Sequence, residues 1–527
     1  MYNVLIADPI GGPGLEKLRN AGEIRILSGE NLAGQELFPL VEEADALIVR
    51  SGTRVDEELL SHARRLKVIA RAGVGVDNID VNAATRRGII VVNAPDGNTV
   101  STAEHTFALL ISMARNIPQA SRSLLHGEWK RKEFTGVELS GKTLAIVGMG
   151  RIGSELAVRA KAFRMRVIAH DPYLTEERAD KLGVEIVPFD EAVRQADFLS
   201  VHTPLTKETR HLINRDVLAR MKEGVRIINC ARGGIIDEEA LLEAIRSGKV
   251  AGAALDVFEK EPPGDHPLLK LRQVVATPHL GASTVEAQQN VAEDVAEEVL
   301  NILRGKPFKN AVNLPPVPAE LQARAVPFRK LAGNMGRFIS ALLPGPVREL
   351  KVILAGEVSD LDSSLLTRAV LSGLLARHLD RVNEVNALHL ARERGIRVTE
   401  QKIPDTAGFT QQIRLEAETS HGTVTVSGTV LNGLGPRIIR VDGYSVDVAP
   451  KGHLLFIRHH DQPGAIGRVG TLLGNHGINI ATMQVGRQAA GGAAIMVLRI
   501  DKPVPTGLLE ELRTSAGIHS VTEIDLT

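Results

Sequence analysis

The chain has 527 residues, too many for one hydrophobic core and enough for three or four domains. Lys+Arg and Asp+Glu balance at 63 each, which removes any electrostatic reason to expect nucleic acid or an anionic membrane as partner. A single cysteine excludes an intrachain disulfide framework, no basic leader opens the sequence, and no run approaches the roughly 18 apolar residues of a membrane span, so a cytoplasmic location is expected.

The first hundred residues alternate apolar strand runs with helix-period segments. Strands are expected at Val4–Ala7, Glu23–Leu27, Ala46–Val49, Lys67–Ala72 and Ile89–Asn93, and helices at Gly14–Ala21, Gln35–Ala44, Val55–Arg65 and Ile79–Arg87. This rhythm predicts a parallel doubly wound sheet with ligand groups at the carboxyl ends of its strands. Two of those ends read Arg50-Ser51-Gly52-Thr53 and Gly73-Val74-Gly75. Ser101–Leu125 reads as one long helix, leading through the basic stretch Trp129-Lys130-Arg131-Lys132 into the next strand.

That strand, Leu144–Val147, stops at Gly148-Met149-Gly150-Arg151-Ile152-Gly153, and a helix-period segment, a second apolar run and Asp171 follow. Gly148 permits a tight turn, Gly150 lets the backbone approach a pyrophosphate, and Gly153 lets helix and strand pack closely. The helix start offers free N–H groups to the phosphates. Asp171 suits a ribose diol and would repel a 2′-phosphate, so the cofactor expected is NAD, not NADP.

The βα rhythm resumes to Val274–Thr277, and a helix over Val285–Leu303 returns the chain to the first unit, so the cofactor domain is inserted in a discontinuous outer domain. Three strand ends here carry polar groups. Asn229-Cys230-Ala231-Arg232-Gly233-Gly234 offers a guanidinium for bidentate carboxylate binding, although a turn-capping arginine would read the same way. Thr277-Pro278-His279 puts a histidine where a proton donor or acceptor near neutral pH would serve, and Glu261 would orient it and stabilise its charged form. Cys230 reads as packing beside the cofactor, not as a nucleophile.

Leu314-Pro315-Pro316-Val317-Pro318 marks a linker. Residues 320–450 alternate helical stretches (328–343, 363–378) with strands (348–356, 411–417, 422–430, 436–441) and show no catalytic pattern. From His453 the order is βαββαβ. His459 and His460 lack further ligands at metal spacing, so no metal is expected.

Taken together, the fingerprint with Asp171, NCARGG (Asn229–Gly234), LDVFEKEP (Leu255–Pro262) and TPHLGAST (Thr277–Thr284) resemble the D-2-hydroxyacid dehydrogenase family. RSGT (Arg50–Thr53), RAGVGVDNID (Arg71–Asp80) and the Trp129 stretch extend the similarity over residues 1–313. The resemblance implies Arg232 as carboxylate binder, His279 as acid/base and Glu261 as its partner. It implies cofactor contacts from Arg151, Ile152, Asp171, Thr203, Cys230, Ala231, Asp256, Gly281 and Ala282 beside the three fingerprint glycines. Within the family the match points to the branch that oxidises 3-phosphoglycerate, with Arg50, Ser51, Gly52, Arg71, Lys130 and Arg131 as substrate contacts; Arg50, Arg71, Lys130, Arg131 and Lys132 are the cations available for the phosphorylated substrate. By the same similarity the basic loop reaches a neighbour's cleft in a homotetramer.

Asp461-Gln462-Pro463-Gly464 and Gly477-Ile478-Asn479-Ile480 are similar to ACT domains, which implies Asp461 and Asn479 as contacts to an L-serine effector. The expected fold class is α/β: a Rossmann-type cofactor domain (99–281) inserted in a flavodoxin-like substrate domain (1–98 and 282–313). An α+β intervening domain (314–452) and a ferredoxin-like ACT domain (453–527) follow. Two other readings stay open: a glyoxylate or hydroxypyruvate reductase, and a non-catalytic NADH-sensing interaction protein on the same fold.

Overall fold

Apolar runs without alternation, such as Ala46–Val49, become strands buried on both faces, because parallel sheets are covered by helices on either side. The computed structural model describes residues 1–527 except 405 and 407 and the side chain of residue 319. Strands β1 (Tyr2–Ile6), β2 (Ile24–Ser28), β3 (Ala46–Val49), β4 (Val68–Arg71) and β5 (Ile90–Asn93) form a parallel sheet in the flavodoxin-like order β2-β1-β3-β4-β5. The helix Val285–Leu303 returns to this sheet and packs on the helix Gly12–Arg19. At Gly14 a Cβ would overlap the Ala292 carbonyl, so that crossing needs glycine.

The second sheet contains β6 (Thr143–Val147), β7 (Arg166–His170), β8 (Glu185–Ile186), β9 (Phe198–Val201), β10 (Val225–Asn229), β11 (Val250–Leu255) and β12 (Val274–Ala276). All its pairings are parallel, and the order is β12-β11-β10-β9-β6-β7-β8. The order reverses between β6 and β9, which makes the crevice outside their carboxyl ends the expected dinucleotide site.

The third sheet is mixed: β13 (Val347–Gly356), β14 (Arg397–Ile403), β15 (Gln411–Thr419), β16 (Gly422–Leu431), β17 (Gly435–Val441) and β18 (Tyr444–Val448). Its order is β14-β13-β15-β16-β17-β18, with only β13 and β14 parallel. Helices Ala319–Leu342 and Ser363–Leu375 cover it. The fourth sheet, β19 (Gly452–His460), β20 (Ile480–Arg487), β21 (Ala493–Ile500) and β22 (Ile518–Leu526), is antiparallel in the ferredoxin-like order β20-β21-β19-β22. On β19, Leu455 and Ile457 face the module's own helices, whereas Leu454 and Phe456 enter the core beneath helix Ala319–Leu342.

Several sequence expectations change. The long helix over Ser101–Leu125 is two helices, Thr99–Ala114 and Ile117–Leu125, because Asn116 is left-handed (φ 54°) and Pro118 opens the second. Val55–Arg65 contracts to Glu57–Ser61: Val55 bridges to Ile79, and the Asp56 carboxylate accepts the Leu59 N–H as a cap. Gln35–Ala44 splits into a 3₁₀ turn, Gly34–Leu37, and the helix Phe38–Glu43. Strand β14 and the helix Ala387–Glu393 were not expected, since β14 is an edge strand whose polar sequence lacks an apolar face.

Helices Ala319–Leu342 and Ser363–Leu375 approach through glycine, and a Cβ on Gly336 would overlap the Val370 carbonyl oxygen. Gly336→Ala is expected to cost about 2 kcal/mol by overpacking. Calorimetry should show a lowered transition for the C-terminal half, with NADH affinity unchanged.

Candidate active site

Strand β6 ends at Gly148, whose φ of 98° is open to glycine and whose added Cβ would lie 2.7 Å from the His202 carbonyl oxygen. At Gly153 a Cβ would overlap the Gly148 oxygen, so helix Arg151–Ala162 can sit against the turn only with glycine there. Gly150 caps that helix without a side-chain hydrogen bond, and a Cβ on it would meet nothing within 4 Å. The first N–H groups of that helix have no intrahelical acceptor and no side-chain cap, which leaves them as donors for a pyrophosphate. Asp171, beyond β7, accepts the Met149 N–H at 2.7 Å and the Tyr173 N–H at 2.8 Å, which fixes its carboxylate beside the turn. Thr203 Oγ1 is buried with no hydrogen-bond partner among the described residues, as a cofactor contact would be before binding. These residues fit a dinucleotide. Burial pushes the Cys230 thiol up to about 12, so it sits in the core below the strand end as a neutral group. Ala231 donates its N–H to Asn229 Oδ1 at 3.0 Å, Ile152 occupies the first helical turn, and Arg151 pairs with Asp96.

Between the first two sheets lies a cleft of about 650 Å³, lined among others by Arg50, Ser51, Arg71, Arg232, Glu261, His279 and Ala282. Arg232 donates from Nε to Asp77 Oδ2 at 3.1 Å and from Nη1 to the Ala231 carbonyl at 2.7 Å. Gly75 leaves room for this guanidinium, which a Cβ would overlap. Arg71 donates to Asn78 Oδ1 (3.3 Å) and to the Ala72 carbonyl (2.6 Å). Burial, and then the charges of Arg50 and Arg232, lower its pKa to about 10. Three guanidinium groups in one cleft make it a site suited to an anion bearing more than one charge.

His279 adopts φ 55°, a left-handed conformation uncommon for residues other than glycine, and its Nδ1 lies 2.7 Å from Glu261 Oε2. The hydrogen bond to Glu261 raises the His279 pKa despite partial burial. Burial of Glu261 opposes ionisation, but hydrogen bonds from His279 and the Phe258 N–H (3.1 Å) hold its carboxyl below the usual range. The turn is fixed by Asp256, which is 1% exposed. Asp256 Oδ1 accepts from Thr277 Oγ1 (2.6 Å), the Leu280 N–H (2.7 Å) and His105 Nε2 (3.2 Å), and Oδ2 accepts from the Gly281 N–H (2.8 Å). Both Asp256 oxygens thus accept hydrogen bonds from the protein, three of them from the histidine turn.

Other expected residues lie elsewhere. Gly52 lines a neighbouring cavity beside Asp8, whose carboxylate accepts the Arg50 N–H (2.6 Å) and the Thr53 N–H (3.1 Å). Lys130 pairs with Glu128 at 2.8 Å and Arg131 opens a 3₁₀ turn; neither lines the cleft of its own chain. Asp461 accepts from Arg487 Nη1 (2.8 Å) and the Gly491 N–H (3.2 Å), and Asn479 donates to Asp501 (2.9 Å). Among the described residues no cluster of three metal-ligating side chains occurs, and no helix is long and apolar enough to cross a membrane. The sequence reading missed Asp77 and Asn78, although both stand in the quoted RAGVGVDNID run. It also missed Asp8 and His105, for which no local pattern gives a signal.

The fold and this site define a D-isomer-specific 2-hydroxyacid dehydrogenase, an NAD-dependent oxidoreductase. Residues 107–281 match the model of the D-isomer specific 2-hydroxyacid dehydrogenase NAD binding domain. Residues 324–442 match the D-3-phosphoglycerate dehydrogenase intervening domain, and 453–517 the ACT domain. The D-3-phosphoglycerate dehydrogenase of Bacillus subtilis is 49% identical over 527 residues, covering all of both chains, and that of Methanocaldococcus jannaschii is 46% identical with the same coverage. The chain belongs to the D-3-phosphoglycerate dehydrogenase family. Among solved structures, the TT0316 protein of Thermus thermophilus superposes with TM-score 0.55 at 40% identity, covering 59% of this chain and 99% of that one. D-lactate dehydrogenase of Aquifex aeolicus, complexed with NAD and lactic acid, gives TM-score 0.53 at 29% identity over 59% of this chain and 99% of its own.

Glu261→Gln should lower the His279 pKa, read as an NMR titration of the imidazole; an unmoved titration would show that Glu261 does not raise it.

Proposed function

We propose that the protein oxidises the 2-hydroxyl of 3-phospho-D-glycerate to 3-phosphohydroxypyruvate, the first step toward L-serine. The observation that carries this reading is the convergence of Arg50, Arg71 and Arg232 in the cleft that also holds the His279–Glu261 pair. Bound NAD, held by the fingerprint turn with Asp171 and Thr203, supplies the acceptor for the hydride leaving C2. Arg232 binds the substrate carboxylate and fixes C2 relative to His279. The neutral imidazole takes the hydroxyl proton on Nε2, and Glu261 holds Nδ1–H and stabilises the imidazolium that results. Arg50 and Arg71 are the candidates for the phosphate.

Oxidation requires His279 neutral, and its pKa is raised. The oxidative kcat/KM should therefore fall as pH drops below a value above that of an ordinary histidine, whereas reduction should fall as pH rises through the same value. His279→Ala should remove at least about 10²-fold of turnover with NADH affinity retained; near-normal turnover would sink the assignment. A panel of 3-phosphoglycerate, glycerate, glyoxylate and hydroxypyruvate with NAD and NADP tests the substrate. Equal use of unphosphorylated glycerate would leave the enzyme class standing and remove the phosphate reading.

The same reading makes the C-terminal module a serine sensor with Asp461 and Asn479 as contacts, in a cytoplasmic homotetramer. Exposed Leu124, Leu125 and Trp129 beside Lys130 support a second copy covering this face, which would carry Lys130 and Arg131 toward a neighbour's cleft. Titrating serine against activity tests the sensor, and unchanged inhibition in Asn479→Ala would remove that contact.

A further inference from the structure

Helix Thr99–Ala114 presents Ser101, Thr102 and His105 on one face, at i, i+1 and i+4, and that face lies on the turn bearing His279. Ser101 Oγ donates to the Gly281 carbonyl at 2.9 Å and Thr102 Oγ1 to the same oxygen at 3.2 Å. His105 Nε2 lies 3.2 Å from Asp256 Oδ1 and 3.0 Å from Thr277 Oγ1. The protonation of this ring follows from its partners. Thr277 Oγ1 spends its hydrogen on Asp256 at 2.6 Å, and an ionised carboxylate only accepts. His105 Nε2 therefore carries the hydrogen and shares it between the two oxygens.

The turn from Thr277 to Gly281 needs this support. His279 sits at φ 55°, a conformation kept only where its surroundings impose it. Asp256 imposes it from below, through the Leu280 and Gly281 N–H groups and through its own carbonyl, which accepts the His279 N–H at 2.9 Å. A buried carboxylate serves as such an anchor only while it is ionised and fixed. Its hydrogen bonds, that from His105 among them, keep the Asp256 carboxyl below the usual carboxylate range although burial opposes ionisation.

We propose that His105 is a positioning residue for the dehydrogenase: by fixing Asp256 and Thr277 it holds His279 in the geometry its proton transfer requires. The proposal rests on His279 as the acid/base of the reading above. His105 does not line the substrate cleft, so it acts through its two partners and not on the substrate. The helix that carries it lies where the chain passes from the first sheet to the second, so the contact ties the chain crossover to the catalytic turn.

The test uses full-length His105→Ala and His105→Gln, the latter because a glutamine amide can reach the place of Nε2 and still donate. Each is compared with wild type for kcat, KM, the pH profile of oxidative kcat/KM and NADH affinity by fluorescence. The groups facing His279 are Glu261, Asp256 and Arg232, and Asp256 is one that raises its pKa. His105→Ala is expected to lower kcat about tenfold or more and to move the acid limb of the profile to lower pH. NADH affinity should stay within about threefold of wild type, and His105→Gln should recover most of kcat. Wild-type kcat and pH profile in His105→Ala would overturn the proposal. So would equal loss in both variants together with lost NADH binding, which would mark the histidine as packing only. The comparison is read on whichever 2-hydroxy acid the wild type oxidises, so a wrong substrate assignment would leave it intact and would be seen separately in the panel.

Discussion

Asp256 is a carboxylate removed from water at the end of a buried strand, and the geometry of the catalytic cleft follows from how its charge is met. An isolated ion in that position would protonate, because desolvation favours the neutral form. Here two backbone N–H groups, a threonine hydroxyl and an imidazole converge on it, and four charge-assisted hydrogen bonds offset the burial. Three of those donors belong to the segment Thr277–Gly281. Satisfying the carboxylate thus bends that segment into the left-handed conformation that brings His279 to Glu261.

Across the cleft the logic is reversed. Arg50, Arg71 and Arg232 are brought together there; Asp77 meets Arg232, Asp8 accepts the Arg50 N–H, and Glu259 and Glu261 line the same cleft. The Arg71 pKa is depressed first by burial and then by the charges of Arg50 and Arg232. An anionic ligand adds charge-assisted partners for the three guanidinium groups, which favours a substrate with charge at both ends. One wall fixes a proton acceptor by satisfying a charge, and the other gathers cations that a substrate anion can engage.

The sequence carried the elements that obey local rules. The fingerprint was legible because each glycine answers a backbone requirement within a few residues, and Asp171 because strand and helix lengths set its spacing. Arg232, Glu261 and His279 were legible as polar residues at the ends of apolar strands. What stayed hidden depends on the fold. His105 is one of many residues on a helix, and only the packing of that helix against β11 and β12 gives it Asp256 as neighbour. The resemblance singled out Asp256, but no sequence pattern shows that its oxygens accept from Thr277, Leu280, Gly281 and His105. The break at Asn116 was missed since periodicity runs through it, and the polar strand β14 since it carries no apolar face. Lys130 and Arg131 lie away from the cleft because a basic loop shows its charge in sequence but not the surface it meets.

The last sheet has a core on each side, and this makes the C-terminal half a single cooperative body. Leu455 and Ile457 belong to the module's own helices, while Leu454, Phe456, Val497 and Ile524 complete the core shared with Met335 and Phe338. Melting the final module would strip one wall from its neighbour, so neither can open alone without exposing both. That shared body also rests directly on the first sheet's helices, where Asn383 and Asn386 donate to the Gly88 and Arg86 carbonyls, so the proline-rich connection is not the sole tie between the halves.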